Sequence, residues 1–157
     1  MRHALVPLIL FASSFSAHAD VLLPPTPSER TSTRAFVGLN WTFGSGGTTA
    51  EGVLGLARVK TDNGGDSKGA KLSVHLPVAN GLSFGKVKLT GMTGKHDRIV
   101  EAGAGFGTNG LFGTAGLWAP YVNGGVDVDF GGGFEGYAGF HSLDGWDVPA
   151  AVTSDPG

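Results

Sequence analysis

Two neighbouring segments, Gly69–Val78 (GAKLSVHLPV) and Leu82–Met92 (LSFGKVKLTGM), decide how this chain folds. In the first, Leu72, Val74, Leu76 and Val78 alternate with Lys71, Ser73 and His75. In the second, Val87 and Leu89 alternate with Lys86, Lys88 and Thr90. Successive side chains of a strand point to opposite faces, so each segment presents one apolar face and one charged face. Ala79-Asn80-Gly81 reads as the turn between them. Thr93-Gly94-Lys95 reads as the turn into a third strand, Arg98–Phe106, where Val100, Ala102, Ala104 and Phe106 oppose Glu101, Gly103 and Gly105. The stretch from Lys68 to Phe106 is therefore a three-strand meander.

The same period extends to both sides. Arg34–Phe43 sets Ala35, Val37, Leu39, Trp41 and Phe43 against Arg34, Gly38, Asn40 and Thr42, with Phe36 as an exception. Glu51–Asp62 sets Val53, Gly55, Ala57 and Val59 against Leu54, Leu56, Arg58 and Lys60. Tyr121–Phe130 alternates Val122, Gly124, Val126, Val128 and Phe130 with Asp127 and Asp129. It reads as one strand, although Asn123-Gly124 also fits a tight turn. Gly133–His141 carries Phe134, Ala138 and Phe140 opposite Glu135, Tyr137 and His141. Gly107–Pro120 fits either a further strand around Phe112–Trp118 or an apolar loop across one end. The fold class is all-β: an antiparallel up-and-down meander of seven or eight strands, joined by Gly-rich turns, that closes into a small barrel and so hides its edges.

The start of the chain sets the expected compartment. Met1-Arg2-His3 is basic, Ala4–Phe15 is apolar but shorter than a membrane span, and Ala17-His18-Ala19 offers small residues at a cleavage site. Residues 1–19 read as an export signal, 20–33 as a flexible Pro-containing arm, 34–142 as the barrel domain and 143–157 as a tail. All 28 glycines lie beyond residue 19, about a fifth of that part against a usual ~7 %, which argues against long helices. With no cysteine, an exported domain must be stabilised without disulfides.

Charge is divided along the chain. Eight basic residues stand against three acidic ones from Arg58 to Arg98, whereas Ile99–Gly157 contains seven acidic residues and no Lys or Arg. The basic residues occupy alternating strand positions rather than a tail or a helix, so nucleic acid is not an expected partner. Pairing between the two halves is the better reading. The residues expected to form an interior charge network are Arg58, Lys60, Lys71, Lys86, Lys88, Asp127, Asp129 and Glu135.

Period two fits a soluble exported barrel or sandwich with an apolar core as well as a membrane barrel with its apolar face in lipid. Three features favour the second. Charged residues are only 15 % of the chain, against about 25–35 % for a designed soluble surface. The apolar face is rich in Gly and Ala, which fill a core poorly. The charged face segregates by sign, which a closed narrow barrel turns into ion pairs across its interior. With its strand number and length, its signal segment and aromatics near strand ends (Trp41, Phe43, Phe106, Trp118, Tyr121, Phe130, Phe140), the chain resembles the small, roughly eight-stranded outer-membrane β-barrel proteins of Gram-negative bacteria. The resemblance spans Arg34–His141 and is one of architecture, without a family motif. It implies outer-membrane lipid as the surroundings and a structural or surface-interaction role, with loops Gly107–Pro120 and Asp62–Lys68 as binding elements.

Chemistry is sparse. Some barrels of this class modify lipids with a His and a Ser, and His141-Ser142, followed by Asp144, is the one candidate here. Adjacent strand residues face opposite ways, so the pair does not form a nucleophile and base. Asp62-Asn63-Gly64-Gly65-Asp66 lacks the spacing of a calcium loop, and Gly44–Thr49 lacks the Lys of a phosphate loop. No cofactor or metal is expected, and no ligand is identified.

Overall fold

Strand β8 pairs with β1 and closes an eight-stranded antiparallel barrel in which every other strand neighbours the next in sequence. The computed structural model describes residues 29–79 and 81–151. The strands are β1 (Glu29–Gly44), β2 (Gly47–Asp62), β3 (Asp66–Pro77), β4 (Lys86–Lys95), β5 (Arg98–Gly107), β6 (Gly110–Ala119), β7 (Val122–Asp129) and β8 (Phe134–His141). The export signal and residues 20–28 of the arm lie outside the described residues, as do Asn80 of the expected turn and residues 152–157.

The starts of β1 and β4 differ from the sequence reading, and two segments that it read in two ways are decided. Strand β1 begins at Glu29, because Glu29–Thr33 pairs with Asp62–Arg58 on β2 and draws the end of the expected arm into the sheet. Residues Leu82–Gly85 belong to the connection before β4, which starts at Lys86. Gly107–Pro120 is no loop; Gly107↔Gly110 closes a tight hairpin and β6 follows at once. Asn123-Gly124 lies within a continuous β7.

Apolar side chains cover the outside of the barrel, and the charged ones of the middle strands turn inward. Between the two ends the outward positions are apolar on every strand: Leu54 and Leu56 on β2, Leu89 on β4, Leu117 on β6 and Phe140 on β8 are all exposed, Leu117 to 63 %. The inward positions include Lys71, Lys88, Glu101 and Asp127, each no more than 5 % exposed. From Ala35 on β1 to Phe140 on β8, the outward side chains between the two ends are Ala, Val, Leu, Trp, Phe or Gly.

Glycine makes room inside. Eight strands leave a lumen only wide enough for side chains. A Cβ on Gly55 would strike the Phe36 ring, one on Gly105 the Phe112 ring, and one on Gly116 the Tyr137 hydroxyl. Large interior groups therefore lie across glycines of nearby strands, Tyr137 of β8 reaching past β7 to β6. Phe36, the exception in the β1 pattern, is one of these groups and is 5 % exposed.

The segment after β8 folds under the barrel. Ser142 extends the pairing with Val37, its amide donating to the Val37 carbonyl at 2.9 Å. The Tyr121 amide donates to Leu143 O at 2.8 Å and the Trp146 amide to His96 O at 3.0 Å. Arg34 reaches Asp144 and Asp147 at 3.0 Å each and lies 5.7 Å from the Trp146 ring. Leu143 and Trp146 are thereby buried against the end of the lumen that carries both described chain ends, called the lower end below.

Candidate functional site

The inward faces of β3 and β4 supply three lysines, and the walls opposite supply the carboxylates. Lys86 Nζ is 3.0 Å from Asp127 Oδ2 and 3.5 Å from Glu51 Oε1, and it also binds Glu135. Lys88 Nζ is 2.7 Å from Asp127 Oδ1 and 3.8 Å from the Tyr137 ring centroid. Thr114 Oγ1 donates to the same Asp127 oxygen at 2.7 Å. Lys71 pairs with Glu101, which also accepts from Thr90 Oγ1 and Tyr137 OH at 3.3 Å. His75 joins the upper group through Glu51 at 3.1 Å and Ser73 at 3.2 Å. Charges withdrawn from water need such partners, and removing one of a buried pair costs about 3–5 kcal/mol. The partners come from strands distant in sequence, so only a closed barrel satisfies them.

Below this network the lumen is apolar. Phe36, Val53, Ala57, Val59, Met92, Ile99 and Trp118 cluster with Leu143 and Trp146 of the tail. Trp118 meets Phe36 edge-on at 5.0 Å and stacks on His141 at 3.8 Å, with Lys71 Nζ 4.5 Å from its ring. Trp118 Nε1 and Asn123 Oδ1 belong to directly opposed residues and are the two buried side-chain polar atoms without a hydrogen-bond partner among the described residues.

Five of the expected network residues, Lys71, Lys86, Lys88, Asp127 and Glu135, lie together on the lumen side. Arg58 and Lys60 do not. They continue the outward series of Leu54 and Leu56 and are exposed at the lower end, where Lys60 pairs with Glu29. Asp129 is half-buried at the upper mouth and has no ion pair among the described residues. The network also includes Glu51, Glu101 and His75, which the expected set omits. Glu101 is the lone carboxylate on the inward face of β5, between Ile99 and the glycines 103 and 105, a signal available in the sequence. Trp118, one of the aromatics expected near strand ends, lies near the end of β6 and faces inside, 5 % exposed.

His141 and Ser142 do not share a site. His141 Nε2 donates to Val122 O at 3.0 Å and its Nδ1 accepts from the Leu143 amide at 3.2 Å. Ser142 is exposed, and its Oγ accepts from the Val37 amide at 3.2 Å. In the Asp62–Asp66 turn, Asp62 Oδ1 accepts from the Gly64 and Asp66 amides at 2.9 Å each, which accounts for that carboxylate as a turn-forming group.

The ends of the barrel differ. The upper mouth is a cavity of about 190 Å³ bordered by Thr42, Glu51, Lys86, Asp127, Asp129 and Glu135. On the outer wall of the lower end, a groove of about 680 Å³ is lined by Lys60, Lys68, Thr93, Lys95 and Arg98 together with Glu29, Asp62 and Asp66. Lys95 is 2.7 Å from Asp66. No protein-family model, curated protein or solved structure matches this chain.

Proposed function

We propose that this protein is a non-catalytic outer-membrane β-barrel with a structural or surface-interaction role, exported by means of residues 1–19. The observation that carries this reading is the outward apolar belt between the two ends, with Leu89 62 % and Leu117 63 % exposed while Lys71 and Lys88 are buried inside. An exposed apolar area running around a whole barrel far exceeds the few hundred Å² that water-soluble monomers tolerate, and lipid is the solvent it suits. Exposed Phe43, Phe106, Phe130 and Phe134 gather at the upper strand ends, as interfacial aromatics do.

The filled lumen and the docked tail favour a scaffold over a channel. Recognition then falls to the upper connections. The longest among the described strands is the one between Pro77 and Lys86, which exposes Leu82 to 76 % and Phe84 to 53 %. Membrane fractionation with a comparison of boiled and unboiled samples on a gel tests this reading. The expected result is a membrane-bound protein whose folded band migrates apart from its heat-denatured band. A fully soluble periplasmic protein would refute it in favour of a soluble exported binding module.

A further inference from the structure

We infer that the groove on the outer wall of the lower end binds the headgroup of an anionic phospholipid. The inference rests on the membrane reading above and names the lipid class this wall selects. Lys60 on β2 directly opposes Lys68 on β3, and Lys95 on β4 directly opposes Arg98 on β5, all on the outward face. Like charges directly opposite one another on a sheet are destabilising, so this arrangement calls for a negative partner.

The acidic side chains present are already engaged. Glu29 pairs with Lys60, Asp66 with Lys95, and Asp62 accepts the two turn amides. Lys68 and the neighbouring Arg58 have no ion pair among the described residues. Arg98 is 86 % exposed, with Asp97 3.9 Å away as its one ionic neighbour among them. Of the cations lining the groove, Lys68 and Arg98 thus remain for a ligand, with the Thr93 hydroxyl beside them, and Arg58 lies one outward position from Lys60 on β2.

Location identifies the ligand. Along β3 the outward series runs Lys68, Ala70, Leu72, Val74, Leu76, and along β5 Arg98, Val100, Ala102, Ala104, Phe106. Each strand passes from a cation to apolar side chains within one or two outward positions, matching a molecule with a phosphate at one end and acyl chains above it. The upper end offers no such match: its outward strand ends are Phe43, Thr48, Phe106, Leu111 and Phe134, and its connections contain no Lys or Arg.

The test uses the full mature chain refolded into phosphatidylcholine vesicles containing spin-labelled phosphatidylglycerol or spin-labelled phosphatidylcholine. The ratio of their association constants at the protein surface is read by electron spin resonance. Each cation near an anionic lipid surface strengthens attraction about five-fold at most. The expected result is a ratio of about 2–5 in favour of phosphatidylglycerol, falling to about 1 in the Arg58→Gln, Lys68→Gln, Arg98→Gln triple variant and in high salt, with the gel shift of the folded barrel retained. Insertion of the wild type with a ratio of 1, or a ratio unchanged in the triple variant, overturns the inference and leaves the membrane reading standing. Failure to insert into any vesicle overturns both.

Discussion

Above Trp118 the lumen is held by Lys71, Lys86 and Lys88 against Glu51, Glu101, Asp127 and Glu135; below it the filling is Phe36, Val53, Val59, Met92, Ile99 and the docked Trp146. The same eight strands enclose both halves, and glycine makes space in both. What differs is access. The upper half opens at a mouth lined by Thr, Asp and Glu, and its polar groups satisfy one another across the barrel. The lower half is closed by residues 142–147, and its interior is packed like that of a water-soluble protein. Binding energy in the upper half resides in partners that must all be present. In the lower half it is spread over contacts that can be trimmed one at a time.

Substitutions that break this comparison should rank accordingly. Lys86→Glu places a fourth carboxylate among Glu51, Asp127 and Glu135 and removes their shared cation. It should cost more than about 5 kcal/mol, the upper figure for breaking a buried pair, and prevent refolding in detergent, as read by the loss of the heat-sensitive gel shift. Asp127→Asn keeps the shape but leaves Lys88 without its one ionic partner among the described residues. A loss of about 3–5 kcal/mol in urea unfolding is expected. Trp146→Ala acts on the lower half and should cost about 3 kcal/mol, the low end for truncating a buried aromatic, because the tail undocks without leaving a cavity while the barrel stays closed. Arg34→Ala removes an exposed clamp on Asp144 and Asp147. It should cost about 1 kcal/mol or less, and the difference should shrink in high salt. If the lower-half changes cost more than Asp127→Asn, the division of labour between the halves is wrong.

The same division explains what was legible in the sequence. On β3 and β4 one face is lysine and the other leucine or valine, so strand positions, facing and the closed all-β meander follow from period two. On β2 the lower lumen is apolar, and Val53, Ala57 and Val59 inside look no different from Leu54 and Leu56 outside. Hydrophobicity there does not reveal which face is in, and charge alone groups Arg58 and Lys60 with the interior lysines. The phase itself places them outward with Leu54 and Leu56. Strand β6 was obscure for the same reason, since Phe112 and Trp118 face the lumen while Leu111 and Leu117 face out. The docking of the tail depends on contacts with Arg34, His96 and Tyr121, far away in sequence, and no local pattern announces it.

The three tryptophans give the most direct test of the outward apolar surface. Trp41 continues the outward series of Val37 and Leu39, whereas Trp118 and Trp146 are buried inside and beneath the barrel. The protein is reconstituted in vesicles whose acyl chains carry bromine, a short-range quencher, and compared with Trp41→Phe. The account predicts that bromine quenches the Trp41 component strongly and that Trp41→Phe, with only the interior pair left, is almost unquenched. Equal quenching of both proteins, or none in either, would contradict a barrel whose apolar wall lies in lipid.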